Sequence, residues 1–188
     1  MNSNVNLSFD FKDYIQSFSH FPKPGVMFWD FAPLLASPIA FSKAISAIAS
    51  HYQNKNITKI AAIEAKGFTI GSALAQTLKL PLYLIRKPGL IPGDVNRAQF
   101  IKEYGQAEYQ VKANSFTKDD IVLVVYDIMA GPGATRAAIE LIESQGAKVL
   151  GCCYVVELEY LKGRESLAGY DLFSLMKIPE MPMLETLT

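Results

Sequence analysis

The sequence predicts an α/β fold, with a central, mainly parallel sheet flanked by helices. Three observations carry this expectation. The succession strand, loop, helix, strand occurs at least twice along the chain, which is the signature of βαβ units. The run Ile121–Val125 reads Ile-Val-Leu-Val-Val, unbroken and mostly β-branched, as expected of a strand covered on both faces. The chain has 188 residues, half of them apolar, enough for one domain with a full hydrophobic core.

The elements follow in order. Residues 1–20 read as an N-terminal extension, with a short helix around Phe11–Phe18, and residues 21–188 as a single domain. Phe21-Pro22-Lys23-Pro24-Gly25 holds two prolines and a glycine and excludes regular structure. Pro38–Tyr52 carries Ile39, Phe41, Ile45, Ile48 and Ala49 at near-helical spacing, with Ser37 as its N-cap. Lys59–Glu64 is a buried strand that runs into Ala65-Lys66-Gly67. Phe68–Leu78 is a helix rich in small residues, and Pro81–Ile85 a second apolar strand. Arg86–Gly93 sets two prolines and two glycines around two basic residues, so it is a loop. Asn96–Val111 is a polar hairpin turning at Gly105. Ile121–Val125 ends in Tyr126-Asp127, and a glycine-rich loop leads into a helix at Thr135–Ser144, which Gly146 stops. Lys148–Val156 is a further buried strand.

Bulk properties narrow the partners. Acidic and basic residues balance at 18 each, so no overall field draws the chain to nucleic acid. A small anionic ligand therefore needs a local basic site. Met1–Asp10 is polar and lacks the apolar core of a leader, and no 18-residue apolar stretch occurs. No membrane association is expected, and the cytoplasm is the expected location. Cys152 and Cys153 are neighbours on a strand and project to opposite faces, so they are read as unpaired core residues. His20 and His51 have no evident partners and are read as surface residues.

The strongest chemical signal lies between Ile121 and Ile139. A hydrophobic strand ends in Asp127, followed by Ala130-Gly131-Pro132-Gly133-Ala134-Thr135 and a helix. In open α/β sheets, ligands bind beyond the carboxyl ends of the strands. A glycine-rich turn there exposes backbone N–H groups, and the helix N-terminus favours an anion. The loop is thus a candidate phosphate cradle, with Asp127 placed to accept hydrogen bonds from hydroxyls. Its spacing fits neither the Walker pattern nor the dinucleotide fingerprint.

With these motifs in place, the chain resembles the adenine phosphoribosyltransferases, from about Phe21 to Lys177. Phe21–Phe28, with Asp30 and Pro33-Leu34-Leu35, is similar to the family's base-site segment. Ile63–Phe68 is similar to its pyrophosphate loop, and Ile85–Gly89 with Pro92-Gly93 to the basic loop that follows. Glu103-Tyr104-Gly105 is similar to the catalytic flap. Val156-Glu157-Leu158 and Leu161-Lys162-Gly163-Arg164 are similar to the C-terminal signature.

The resemblance implies a type I phosphoribosyltransferase fold with a small hood, formed by the N-terminal segment and the C-terminal end, and a flexible flap. It implies purine salvage, in which adenine and phosphoribosyl pyrophosphate give AMP and pyrophosphate, with Mg2+ riding on the pyrophosphate, in a homodimer. Carried over residue by residue, Glu103 is the acid/base for a purine ring nitrogen and Asp127 holds the ribose hydroxyls. Ala130, Gly131, Pro132, Gly133, Ala134 and Thr135 hold the phosphate. Ala65, Lys66, Arg86 and Lys87 meet the pyrophosphate, and Tyr104 and Gly105 belong to the flap. Val26, Phe28, Trp29 and Leu158 border the base, with Phe28 stacking on it and Leu158 covering its other face.

The departures from the family pattern cluster on the donor site. Tyr126 stands where the first of two acids is usual, and Ala130-Gly131-Pro132-Gly133-Ala134 replaces Ala-Thr-Gly-Gly-Thr. Two hydroxyl donors are missing, and Pro132 removes a backbone N–H. At roughly 1.5–3 kcal/mol per hydrogen bond to a charged group, two or three losses weaken donor binding by on the order of a hundredfold to several thousandfold. Thr135, one position later, is a partial substitute. Lys66 replaces an arginine, Leu90 a lysine and Trp29 an arginine near the base. Three functional readings follow: an adenine phosphoribosyltransferase, a catalytically weak or inactive relative that binds a purine or nucleotide in a regulatory role, and a transferase for another purine base.

Overall fold

The computed structural model describes residues 9–102 and 105–182. These fall into two compact units, divided between Lys43 and Ala44. In the smaller unit, a one-turn 3-10 helix at Phe11–Tyr14 precedes strand β1 (Gln16–Ser19). β1 pairs antiparallel with β2 (Met27–Asp30), Gln16 lying opposite Asp30 and Ser19 opposite Met27. The helix expected around Phe11–Phe18 is thus a single turn. Ile15 is already extended, and the chain pairs as a strand instead of continuing the helix. Helix α1 (Ala32–Ala36) follows.

Helix α2 (Pro38–Tyr52) starts as expected, with the Ser37 hydroxyl accepting a hydrogen bond from the Ala40 N–H at 3.3 Å. The division between the units falls within this helix.

The larger unit contains a five-stranded sheet, all of whose neighbouring strands are parallel. Its strands are β3 (Lys59–Ile63), β4 (Leu82–Ile85), β7 (Ile121–Met129), β8 (Lys148–Leu158) and β9 (Asp171–Ile178), in the order β4-β3-β7-β8-β9. Strands β5 (Val95–Lys102) and β6 (Gly105–Lys112) form a separate antiparallel hairpin. The connection from β3 to β4 runs outward to one edge through helix α3 (Gly67–Leu78). The connection from β7 to β8 runs in the opposite direction, toward the β9 edge, through helix α4 (Gly133–Glu143). Right-handed crossovers in opposite directions place their helices on opposite faces.

Packing follows this rule. α4 contributes Ala137, Ala138, Leu141 and Ile142 to the core that includes Ala61, Ile63, Val122 and Val124. α3 lies on the other face, so close that a Cβ on Gly71 would stand 2.6 Å from the Ala62 Cβ. Only a residue without a side chain fits there.

Other findings refine the expectations. α4 begins at Gly133, two residues before the expected start. β9 was not expected: Ser174 and Lys177 interrupt its apolar run, because both reach the carboxylate of Glu157 on β8. Cys152 and Cys153 are free and buried. His51 is not a bare surface residue: its Nε2 lies 3.1 Å from Asp171 Oδ1, and Lys55 pairs with the same carboxylate. The adjacent Tyr52 hydroxyl donates to the carbonyls of Cys152 and Asp171 at 3.2 Å, so the end of α2 is pinned to β9. His20 also has a partner, its Nδ1 accepting from the Gly25 N–H at 3.0 Å.

Candidate active site

Strand order locates the site. From β3 the chain turns toward one edge, and from β7 toward the other, so the topological switch point lies between these neighbours. Loops leaving the carboxyl ends of strands at such a point flank the crevice where α/β sheets bind ligands. Here those loops are Glu64-Ala65-Lys66 after β3, and Ala130–Pro132 after β7.

The β3 loop is seated tightly. Gly67, the first residue of α3, packs on the backbone of β7, where a Cβ would lie 2.8 Å from the Val125 carbonyl oxygen. The Glu64–Ala65 peptide is cis. Lys66 N-caps α3 through backbone geometry, without a side-chain cap. Its charge acts on Asp127, which is half-buried near the end of β7. Burial pushes the Asp127 carboxyl above its usual range, and the Lys66 charge and two backbone hydrogen bonds offset this only in part. The seat of Gly67 on Val125 and Tyr126 thus sets the loop carrying Lys66 beside the strand end carrying Asp127, one on each side of the switch point.

Arg86 and Lys87 follow β4. Glu64 organises both: its Oε2 accepts from Arg86 Nε at 3.3 Å and from the Lys87 N–H at 3.0 Å. The Arg86 guanidinium also donates to the Leu90 carbonyl at 3.1 Å, and it lies 6.0 Å from the Phe68 ring centroid. Sequence reasoning gave Glu64 no role. The signal was its place one residue before Ala65 in the pyrophosphate-loop motif.

The phosphate loop divides differently from the sequence expectation. Ala130, Gly131 and Pro132 form the turn, and Gly133, Ala134 and Thr135 the first turn of α4. Their N–H groups are the donors an α-helix leaves without intrahelical partners. Pro132 caps the helix without a side-chain bond. Thr135 lies in this first turn with its side chain buried, its Oγ1 accepting from the Tyr154 hydroxyl at 3.0 Å. It faces the core because α4 starts early and turns this position inward. Gly131, by contrast, has nothing within 4 Å of a Cβ position among the described residues, where a threonine side chain would stand.

At the end of β8, Glu157 is 2% exposed and meets Arg164 through two hydrogen bonds, at 2.8 and 2.7 Å, while Ser174 donates to it at 2.6 Å. This pair closes the turn carrying Gly163, where a Cβ would lie 2.8 Å from the Ala130 carbonyl oxygen. The C-terminal signature thus packs against the entrance of the phosphate loop. Leu158, next to Glu157, is buried.

In the smaller unit, Val26 and Phe28 are half-buried, and the Phe28 ring meets Phe21 edge-on at 5.0 Å. Trp29 is buried, and its Nε1 has no hydrogen-bond partner among the described residues. As neighbours on β2, Phe28 and Trp29 project to opposite faces of the ribbon. Glu103 and Tyr104 lie outside the described residues, and Gly105 opens β6 with a φ of +106°.

Comparison with known proteins agrees with this geometry. The phosphoribosyl transferase domain profile matches residues 32–176. The chain is 43% identical over 168 residues to the adenine phosphoribosyltransferase of Idiomarina loihiensis, covering 88% of this chain and 95% of that protein. It is 42% identical over 175 residues to that of Francisella tularensis, covering 92% and 99%. The crystal structure of the Thermoanaerobacter pseudethanolicus adenine phosphoribosyltransferase superimposes with a TM-score of 0.86 at 33% identity, over 89% of this chain and 98% of that one. The Saccharomyces cerevisiae enzyme, complexed with an imino-altritol bisphosphate and adenine, gives 0.82 at 33% identity, over 88% and 96%. A strand-end crevice built by the same ordered motifs, matched over nearly the whole chain, shows that this protein belongs to the phosphoribosyltransferase family, on its adenine phosphoribosyltransferase branch.

Proposed function

We propose that the protein catalyses purine salvage, joining adenine to phosphoribosyl pyrophosphate to give AMP and pyrophosphate. The observation that carries this reading is the tight seating of the Lys66-Gly67 loop on the end of β7, the strand that carries Asp127 and leads into the N-terminus of α4. In the transfer, a purine ring nitrogen bonds to the anomeric carbon while the bond from that carbon to pyrophosphate breaks. The leaving pyrophosphate takes the electron pair. The protein's task is charge neutralisation and placement, since the anomeric carbon develops oxocarbenium character.

The Asp127 carboxylate accepts hydrogen bonds from the ribose hydroxyls. The N–H groups of Gly133 and Ala134, with the backbone of Ala130 and Gly131, receive the 5′-phosphate. Lys66, Arg86 and Lys87 neutralise the pyrophosphate beside Ala65, with Glu64 fixing the geometry of the two cations after β4. By family resemblance, Glu103 takes the proton from the ring nitrogen, and Phe28 and Leu158 are assigned to the base. No cluster of three or more His, Cys, Asp or Glu gathers among the described residues, which suits a hard ion that keeps its waters and phosphate ligands. A magnesium ion carried in on the pyrophosphate fits, and it would spread the charge of the leaving group.

Leu84 on the edge strand β4 and Leu90 in the basic loop are 38% and 45% exposed, which supports a homodimer joined near that loop. A two-chain mass by light scattering is expected, and a one-chain mass refutes it. The free, buried cysteines suit a reducing compartment, and the cytoplasm is the proposed location.

The test of function is AMP formation by purified protein with magnesium, donor and each of adenine, hypoxanthine, guanine and xanthine. Turnover with adenine alone is expected. Preference for another base overturns the adenine assignment, and tight AMP binding without turnover with any base favours the regulatory reading.

A further inference from the structure

On β7, alternation sends Asp127 and Tyr126 to opposite faces. Asp127 lies within the electrostatic reach of Lys66. Tyr126 packs with Val122 and Val124 against the core on the α4 face, where the β5–β6 hairpin also sits. Its hydroxyl lies 3.5 Å from that of Tyr109 on β6, which is 3% exposed. The Phe100 ring on β5 stacks on Tyr109, with centroids 4.7 Å apart and planes tilted by 34°. β5 then runs directly over the start of α4. A Cβ on Gly133 would stand 3.0 Å from the Ile101 carbonyl oxygen and 3.5 Å from the Phe100 ring. On its other side the hairpin is tied to the end of β4, where Arg86 and Gln110 exchange backbone hydrogen bonds at 2.8 and 2.7 Å.

We propose that Tyr126 is a positioning residue that clamps the middle of the β5–β6 hairpin over the phosphate loop, where the family pattern has a donor-binding acid. The geometry favours this role over ribose binding. Burial raises the Tyr126 phenol far above its usual range, so it stays neutral. The 3.5 Å separation of the hydroxyls is long for a hydrogen bond between them, so ring packing supplies most of the clamp. A carboxylate in the same place would desolvate a charge among Phe100, Tyr109 and the valines. The clamp acts through the hairpin on whatever its tip delivers. That the tip delivers the acid/base of the transfer rests on the proposed function.

The test compares Tyr126→Phe, Tyr126→Leu and Tyr126→Ala by hydrogen exchange across residues 95–112 in the protein without ligands, and by steady-state kinetics. With a clamp, the Phe variant keeps hairpin exchange and kcat within about twofold of wild type. The Ala variant speeds hairpin exchange by about tenfold or more and lowers kcat more than it raises the KM for the donor. The Leu variant falls between them, and it replaces the Ala variant if that chain does not fold. If Tyr126 instead bound the donor through its hydroxyl, Phe and Ala would raise the donor KM alike and leave hairpin exchange unchanged. That result overturns the clamp. The exchange readout needs no turnover. A wild-type protein inactive with adenine but showing the graded exchange would sink the proposed function and keep the clamp. An active protein with unchanged exchange would do the reverse.

Discussion

Replacing Gly67 by alanine tests how the fold positions the chemistry. The new methyl would lie 2.8 Å from the Val125 carbonyl oxygen and 3.4 Å from the Tyr126 Cα. Both are backbone atoms of a central strand, so no side-chain rotation relieves the contact. Either the start of α3 or the end of β7 must give by a few tenths of an ångström. Overpacking of this kind costs about 1–3 kcal/mol, of which the stiffer unfolded chain returns roughly 0.4–1 kcal/mol. At roughly 2–4 °C per kcal/mol for a chain of this size, the net cost of about 0.6–2 kcal/mol gives an expected fall in Tm of about 1–8 °C. The displaced segment begins at Lys66 on one side and at Tyr126-Asp127 on the other. Since a misplacement of about 1 Å can cost on the order of a hundredfold, kcat/KM should fall by roughly tenfold. Thermal unfolding and an AMP-formation assay read the two effects. Gly131→Ala is the stability control, because nothing among the described residues lies within 4 Å of its Cβ position, and its Tm should hold or rise slightly. A Gly67→Ala protein with wild-type Tm and activity would refute the close seating of the pyrophosphate loop on β7.

Three further outcomes are expected. Asp127→Asn should raise stability at neutral pH while lowering kcat/KM by roughly a hundredfold or more, for the loss of two hydrogen bonds to a charged group. The sign follows from burial, which raises the folded Asp127 above its reference of 3.8. The wild type therefore loses stability as pH climbs from about 4 through the raised value, and urea unfolding should show the two proteins equal near pH 3 and diverging above it. For Glu157, burial pushes the pKa up, but the hydrogen bonds from Arg164 and Ser174, with the charges of Arg164 and Lys177, outweigh it. The net shift is downward, so its stabilisation is present above about pH 4.5 and is lost in acid. Glu157→Gln should remove that acid-side loss and cost about 2–3 kcal/mol at pH 7, below the full value for a buried pair because the Arg164 side chain is 39% exposed. Gly131→Thr should tighten donor binding by roughly ten- to a hundredfold if its hydroxyl regains one hydrogen bond to phosphate, which calorimetry with the donor would measure.

The fold was legible wherever a residue run had one physical solution. Ile121–Val125 had to be a doubly covered strand, and the alternation of strands with helices required a parallel sheet. β9 was hidden because Ser174 and Lys177 are recruited by the buried Glu157, a contact visible only when the two strands lie side by side. The partners of His51 were hidden for the same reason, since Asp171 is 120 residues away. At the site, the motifs marked Lys66, Arg86, Lys87 and Asp127 because their types and order are local. The role of Glu64 needed the end of β4 beside β3. The burial of the Thr135 side chain and its bond from Tyr154 were not legible, because Tyr154 is 19 residues away on β8. Tyr126 read as a lost ligand, and only the strand's alternation and the docked hairpin gave it a use of its own.

The most direct test of the central claim is the rate of AMP formation from adenine and phosphoribosyl pyrophosphate with magnesium, measured for the wild type and for Asp127→Asn at saturating donor and at low donor. The account predicts measurable wild-type turnover that falls by roughly a hundredfold or more in the variant at low donor. No AMP above background from a folded wild-type protein, or equal rates for the two proteins, would contradict it.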